Sequence, residues 1–419
     1  MIVGWSIPVY HRQEIGRIRS AMAEIRDPVH GYIRLDDLAF DLINTPQMQR
    51  LRWIKQLGLA NLVYPGANHT RFEHSLGVYH LTAVLADHLG LEEEERQRVG
   101  AAALLHDVGH GPLSHATETS LSPYIRREHE NLGDLIRKGE LKEVLEEHGL
   151  RPVDIQGMIR GEGRLGQMIS SEIDADRMDY LIRDSHYTGV AYGVIDHLRL
   201  IKMMRVHAGD LVLQFGGIQA ATSMLISRLL MHPAVYYHHV CRISECMVAA
   251  GIRQMIEDGL DASRIKDMND IELFSAMESQ GGYAGEMSSR IIYRRLFKRA
   301  VYIGLESMEL NSKSWGSQQR MAQEIAEQAG LDHNYILVDN PPLAESEEGD
   351  FPVLIDEKTR PLRDVSPLVG MLERANRANW RFGIYCREED RERVAQAAGK
   401  CLDLKKSKLI YRYFDSFDQ

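Results

Sequence analysis

Between about residue 38 and about residue 310, apolar residues recur at three- and four-residue spacing, broken by Gly-Pro and Asn/Asp-Gly steps. That is the period of packed helices. The spacing predicts one helical domain over residues 1–311, interrupted by two short extended pieces, Tyr32 to Leu35 and Leu211 to Phe215. The second follows the turn-like His207-Ala208-Gly209-Asp210, and both read as small hairpins at the domain's edge. After about residue 312 the pattern changes. A helix over Gln318 to Gln328, strands over Tyr335 to Val338 and Pro352 to Ile355, a helix, a strand over Trp380 to Cys386 and a final helix predict a small α+β domain over 312–419. A turn-rich acidic loop, running from Asp339 through Glu345-Ser346-Glu347-Glu348-Gly349-Asp350, joins its first two strands. The fold class is mainly α.

The same periodicity shows where polar groups are out of place. The apolar run Ala101 to Leu105 ends in His106-Asp107, followed by Val108-Gly109-His110-Gly111-Pro112-Leu113-Ser114-His115. Burying an imidazole and a carboxylate is costly unless they are paired or hold a metal, so the pair predicts a divalent-cation site. It sits at a helix C-terminus, where the dipole also favours a cation. Arg71-Phe72-Glu73-His74 opens another helix, which makes His74 a candidate third ligand. In Ser171 to Asp184, the residues Asp176, Tyr180, Arg183 and Asp184 share a stripe at i, i+4, i+7 and i+8, and Asp176 is the candidate fourth. Taken alone, such an acidic helix is more often a solvated face.

Two imidazoles and two carboxylates suit manganese, magnesium, iron, nickel or zinc without choosing among them. Such a set leaves coordination positions open, which points to hydrolysis of a phosphoester or phosphoanhydride. His110, His115, Glu118, His129 and Glu130 follow closely and are candidates for proton transfer or phosphate donation. Arg228, His232 and Tyr236 are spaced for one helix face, with Pro233 starting a new turn. They read equally as a grip on phosphate and sugar or base and as packing residues of a core helix.

Composition narrows the class. With 44% hydrophobic and 26% charged residues over 419 positions, the chain has the balance of a globular protein with a sizeable core. No run approaches a membrane span, and Met1 to Tyr10 lacks a basic leader and a cleavage site, so a cytoplasmic location is expected. The net charge of -10 argues against a nucleic-acid partner; the basic patch Arg294, Arg295, Lys298 and Arg299 offers charge for a small polyanion, but taken alone reads more often as a solvated helix face. Cys241, Cys246, Cys386 and Cys401 contain no CxxC pair and are expected to be reduced and buried.

At these residues the chain resembles the HD superfamily of metal-dependent phosphohydrolases, and more narrowly the deoxynucleoside triphosphate triphosphohydrolases, which include an animal enzyme carrying a sterile alpha motif. The resemblance runs through Asp27-Pro28-Val29-His30-Gly31, Thr45 to Gly58, Tyr64 to Gly77, His106 to His115, Asp174 to Asp184 and Arg228 to Tyr236. It implies that one divalent metal is held by His74, His106, Asp107 and Asp176. It implies that His110, Glu118 and His129 act near the attacking water, with His115 close to the α-phosphate. Arg71, Tyr180, Asp184, His232 and Tyr236 would surround the substrate, Gln56 and Leu57 would lie against the sugar, and Arg228 would reach the phosphates.

The implied reaction is water attack at the α-phosphorus, releasing a deoxynucleoside and tripolyphosphate. The resemblance also implies a homo-tetramer with nucleotide effector sites formed by the segment around residues 20 to 55 and by basic C-terminal residues. Asn44, Gln49 and Arg52 would contact the effector. Asn44 departs from the acidic residue that the animal enzyme has before Thr-Pro-Gln; an amide both donates and accepts, so a different base preference is expected. No sterile alpha motif is read ahead of these motifs. Two other readings remain: an HD phosphohydrolase acting on a nucleoside monophosphate or alarmone, and a nucleotide-sensing HD protein without turnover.

Overall fold

The computed structural model describes residues 23–121, 123–124, 133–305, 317–341 and 348–402, with the backbone alone at positions 115, 119, 133 and 134. His129, Glu130, Met1 to Tyr10 and the loop segment 342–347 lie outside the described residues.

The chain opens with an antiparallel hairpin, β1 (Ala23–Asp27) and β2 (Gly31–Leu35), in register Ala23↔Leu35 to Asp27↔Gly31. Two short helices follow, α1 (Asp37–Ile43) and α2 (Pro46–Arg50), and then the long α3 (Arg71–Leu89). Thr70 and Glu73 form a reciprocal capping box at the start of α3, which fixes where that helix begins. α4 (Glu93–Leu105) packs antiparallel-fashion against α3 through its Val99 to Leu105 half, and α5 (Ser114–Leu121) comes next. Helices α6 (Gly133–Ile136), α7 (Gly139–Glu147), α8 (Pro152–Ile159) and α9 (Gly163–Gln167) lead to α10 (Ala175–Thr188). Asp174 caps α10 by accepting from Arg177 N at 2.7 Å, a contact worth about 1 kcal/mol.

α11 (His197–Met203) runs into the hairpin β3 (Met204–His207) and β4 (Asp210–Gln214). α12 (Ile218–Met231) ends in a π-helical turn over His232–Tyr236, with Pro233 in its opening positions, so the expected new turn at that proline is present. α13 (His239–Glu257), α14 (Ala262–Asp267), α15 (Asp270–Gln280) and α16 (Gly282–Ile292) complete the helical part. Its main core gathers Leu42, Phe72, Leu81, Leu85, Leu104, Met178, Leu181 and Leu225, each at most 3% exposed.

The C-terminal elements are β5 (Lys298–Gly304), α17 (Gln318–Ala329), β6 (Ile336–Asp339), β7 (Pro352–Ile355), β8 (Lys358–Pro361), α18 (Leu362–Val365), α19 (Leu372–Asn379), β9 (Arg381–Cys386) and α20 (Arg391–Cys401). Strand pairing crosses the expected division at residues 311 and 312 in both directions. β5, ahead of it, forms a three-stranded sheet in the order β5-β9-β6, whose own core includes Ile303, Ile325, Ile384 and Val394. β7 lies parallel to β4, so the second hairpin is the start of a four-stranded sheet β3-β4-β7-β8 instead of an edge piece. Phe351, Val353, Leu362 and Leu372 accordingly sit in the main helical core.

Two smaller expectations are corrected. Arg294 and Arg295 follow the end of α16, with Arg294 at φ 53°, while Lys298 and Arg299 lie in β5, so the basic patch is not a helix face. Local charge spacing does not distinguish a turn and strand from a helix. The cysteines are free, but Cys401, the last residue of α20, is exposed and Cys246 is half-buried. Among the described residues no helix is long and apolar enough to cross a membrane.

Candidate active site

Three helix ends meet at one point. His74 sits one turn into α3, His106 and Asp107 follow the last residue of α4, and Asp176 lies in the first turn of α10. His74 Nε2 is 3.3 Å from His106 Nε2, 2.9 Å from Asp176 Oδ1 and 4.0 Å from Asp107 Oδ2. His106 Nε2 is 3.4 Å from Asp107 Oδ1 and 3.8 Å from Asp176 Oδ1. His106 Nδ1 donates to Ala103 O at 2.8 Å, and His74 Nδ1 donates to Asp179 Oδ2 at 2.8 Å. Each ring therefore turns Nε2 toward the same spot.

Two imidazole nitrogens facing each other inside a ring of carboxylates have no mutual hydrogen bond that satisfies both as neutral groups. A shared divalent cation satisfies all of them, and the donor set of His74, His106 and Asp107, with Asp176 beside it, fits one. Burial alone would lower the pKa of His74, but hydrogen bonds to Asp176 and Asp179 outweigh it and push the group up to about 10. Burial likewise opposes ionisation of Asp107, yet Arg71, His106 and His110 hold its carboxyl well below the usual carboxylate range.

Around this point the expected residues divide. Arg71, expected beside the substrate, is buried and committed to Asp107, with Nη1 at 2.6 Å from Oδ2 and Nε donating to Ser114 Oγ at 3.0 Å. His110 Nε2 lies 3.1 Å from Asp107 Oδ1 and its Nδ1 2.8 Å from Glu118 Oε1, so the imidazole bridges a candidate ligand and a second acid on α5. Despite burial, these carboxylates raise the pKa of His110. α5 also carries His115.

On the opposite wall, Asp184 accepts from Tyr236 Oη at 2.9 Å through one oxygen and pairs with His69 Nε2 at 2.8 Å through the other. Tyr236 stands edge-on to Tyr180 and to His232, with ring centroids 6.1 Å and 5.5 Å apart, and His232 stacks on Tyr237. Burial pushes the hydroxyl of Tyr180 up to about 12. The π-helical turn brings His232 and Tyr236 together, a local irregularity of the kind common at functional sites. Arg228, expected at the phosphates, has its Nη1 in contact with Glu348, a carboxylate from the C-terminal segment. That segment is anchored by Glu172, which accepts from Gly349 N and Phe351 N.

Gln56 and Leu57 are carried beside the start of α3 by a bridge between Lys55 and Thr70 and by Gln56 N donating to His69 O at 3.0 Å. Gln56 Oε1 is buried and, among the described residues, has no hydrogen-bond partner. Asn44, Gln49 and Arg52 lie together at the surface. Gln49 donates to Ile43 O and accepts from Arg52 Nε at 2.8 Å, the Arg52 guanidinium covers the Phe72 ring at 3.7 Å, and Asn44 Nδ2 donates to Phe40 O.

Several polar residues around the site were missed by sequence reasoning. Asp179 is fully buried and holds His74, and Arg183, read only as part of the stripe with Asp176, Tyr180 and Asp184, is also fully buried and pairs with Asp179. The Asp179–Arg183 spacing of four was the available signal. Arg50 donates through Nη2 to His110 O at 2.8 Å, which no local pattern marks.

Comparison with known proteins places the chain in a family. The HD domain model matches residues 71–184 and the HD associated region model residues 195–412. An uncharacterized protein of Methanocaldococcus jannaschii is 35% identical over 387 residues, covering 88% of this chain and 80% of that protein. The deoxynucleoside triphosphate triphosphohydrolase SAMHD1 of Homo sapiens is 32% identical over 348 residues, covering 68% of this chain and 55% of its own length, so the match spans about half of the human enzyme. Among solved structures, a hypothetical protein of Aquifex aeolicus superposes with a TM-score of 0.74 at 30% identity, over 90% of this chain and 100% of that one. A phosphohydrolase of Bacteroides thetaiotaomicron does so with 0.72 at 25% identity, over 87% and 100%.

Proposed function

Because the chain belongs to the HD-domain phosphohydrolases, we propose that it hydrolyses deoxynucleoside triphosphates to deoxynucleoside and tripolyphosphate. The observation that carries this reading is the convergence of His74 and His106 Nε2 with the carboxylates of Asp107 and Asp176, flanked by the Asp184–Tyr236 pair. In the proposal His74, His106, Asp107 and Asp176 hold one divalent cation. Such an ion polarises a phosphate oxygen and makes water easier to deprotonate.

The rest of the work falls to side chains. Arg71 fixes Asp107 from behind, so that its Oδ1 faces His106 and His110. In the proposal water forms a bond to the α-phosphorus as the Pα–O5′ bond breaks, and His110, its Nδ1 held by Glu118, relays the water's proton through Nε2 toward the departing 5′-oxygen, which leaves as the deoxynucleoside hydroxyl. By the family resemblance, His115, on the helix that carries Glu118, is assigned to the α-phosphate, and His129, outside the described residues, to the acid-base group. Asp184 and Tyr236 present an acceptor and a hydroxyl to the sugar, with Gln56 and Leu57 closing its other side. A wall that must pair its polar groups with the substrate discriminates strongly between sugars. Arg228 takes the distal phosphates once they replace Glu348, Tyr180 standing next to it, and His232 lies beside the base.

The reading includes a homo-tetramer and a nucleotide effector at Asn44, Gln49 and Arg52, supported by their grouping at the surface. Manganese is the ion of choice for the test. Incubation of each dNTP with Mn(II) is expected to release tripolyphosphate; release of orthophosphate or pyrophosphate sinks the dNTP reading in favour of another HD phosphohydrolase. Sedimentation with and without nucleotide tests the assembly, for which a nucleotide-independent monomer is the contrary result.

A further inference from the structure

Behind His74 lies a buried assembly that reaches outside the segment matched by the HD domain model. Asp179 accepts on both oxygens: Oδ2 from His74 Nδ1 and Arg183 Nε, each at 2.8 Å, and Oδ1 from Arg183 Nη2 at 3.0 Å, with His30 Nε2 at 2.6 Å from the same oxygen. His30 sits in the turn between β1 and β2. Asp27 shapes that turn by accepting from Val29 N and His30 N, and Gly31 completes it at φ 81°. The same Asp27 accepts from Arg183 Nη1 at 2.9 Å, which ties the turn to α10. The fit is close: a β-carbon at Gly77 of α3 would overlap Asp179 and Arg183.

We propose that His30 is a positioning residue for the metal centre: by donating to Asp179 Oδ1 it fixes the carboxylate that orients His74, so the N-terminal hairpin is part of the site. This rests on the reading of His74 as a metal ligand. Arg183 alone fills two directions around Asp179 but approaches from within the same helix, and the carboxylate can tilt about that axis. His30 approaches from a strand turn 149 residues away and removes that freedom. Its ring is held in turn between His80, with centroids 5.1 Å apart, and His197, at 6.4 Å. Outer partners of this kind change metal affinity by roughly ten- to a hundred-fold when lost.

The test is a titration of metal-stripped full-length protein with Mn(II), free ion being read by electron paramagnetic resonance, for wild type, His30→Ala and His30→Gln. Far-UV circular dichroism melts of the metal-free proteins report folding. Folded His30→Ala is expected to bind Mn(II) ten-fold or more weakly, and His30→Gln, which keeps a donor of similar reach, to recover most of the loss. Wild-type affinity in folded His30→Ala overturns the proposal, as does equal weakening in both variants. If His30→Ala does not fold, His30→Asn, polar but too short to reach Asp179, takes its place with the same expectation. Failure of the wild type to bind Mn(II) instead removes the metal-site reading itself.

Discussion

Around His74, each carboxylate oxygen of Asp179 meets two donors drawn from α3, α10 and the N-terminal hairpin, whereas Arg228 on the facing wall is met by a glutamate from the distant C-terminal segment. The first wall is closed upon itself and preorganised. The second holds the Arg228–Glu348 pair, which in the proposed function gives way to substrate phosphate. Changes on the first wall should therefore act on metal retention and the chemical step, and changes on the second on substrate binding.

That contrast is tested hardest at Asp107. Asp107→Asn is expected to remove both bound metal and hydrolysis, lowering the rate on the order of a thousand-fold or more; unchanged activity of the metal-treated variant, with metal retained by elemental analysis, would refute the ligand set. His110→Ala should keep the metal while kcat falls roughly a hundred-fold, the scale of a lost proton-transfer group. Wild-type turnover would move that role to another histidine. On the facing wall, Tyr236→Phe removes one hydroxyl and should raise KM about ten-fold with metal content intact; a fall in kcat alone would place Tyr236 with the chemistry. Glu348→Gln is the mildest: removing the competing carboxylate should lower KM a few-fold, more so at low salt. A raised KM there would make Glu348 a support for Arg228 instead of a competitor.

Proton linkage separates the walls in another way. In metal-free protein the folded pKa of His74 lies above its unfolded value of 6.5, near 10. The stability it contributes is therefore complete below about pH 6.5 and disappears as pH rises through about 10. Thermal melts of stripped wild-type protein should fall over that interval, while Mn(II) affinity rises because the ion displaces the proton. A melting temperature independent of pH across that range would contradict the buried His74–Asp179 pairing.

Much of the helical part was legible from spacing. The start of α3 at Arg71, the end of α4 before His106 and the carboxylate-rich α10 follow from caps and apolar period, which act within a few residues. Those same local rules put His74 and Asp176 in first turns and His106-Asp107 at a helix end. β5 was missed and its basic residues assigned to a helix, because a strand's partner, here β9, is set by contacts far along the chain. The expected break at residue 311 failed to anticipate β7 pairing with β4 for the same reason.

The sequence by itself determined which residue types could meet a cation and which helices would carry them, since helix period and capping are encoded between near neighbours. Only the tertiary structure decided that Arg71 serves Asp107, that Arg228 meets Glu348, and that His30 and Asp179 stand behind His74. Those choices are made by the low-dielectric interior. A buried charge there must find a partner wherever the fold brings one, and sequence spacing carries no record of which partner that will be.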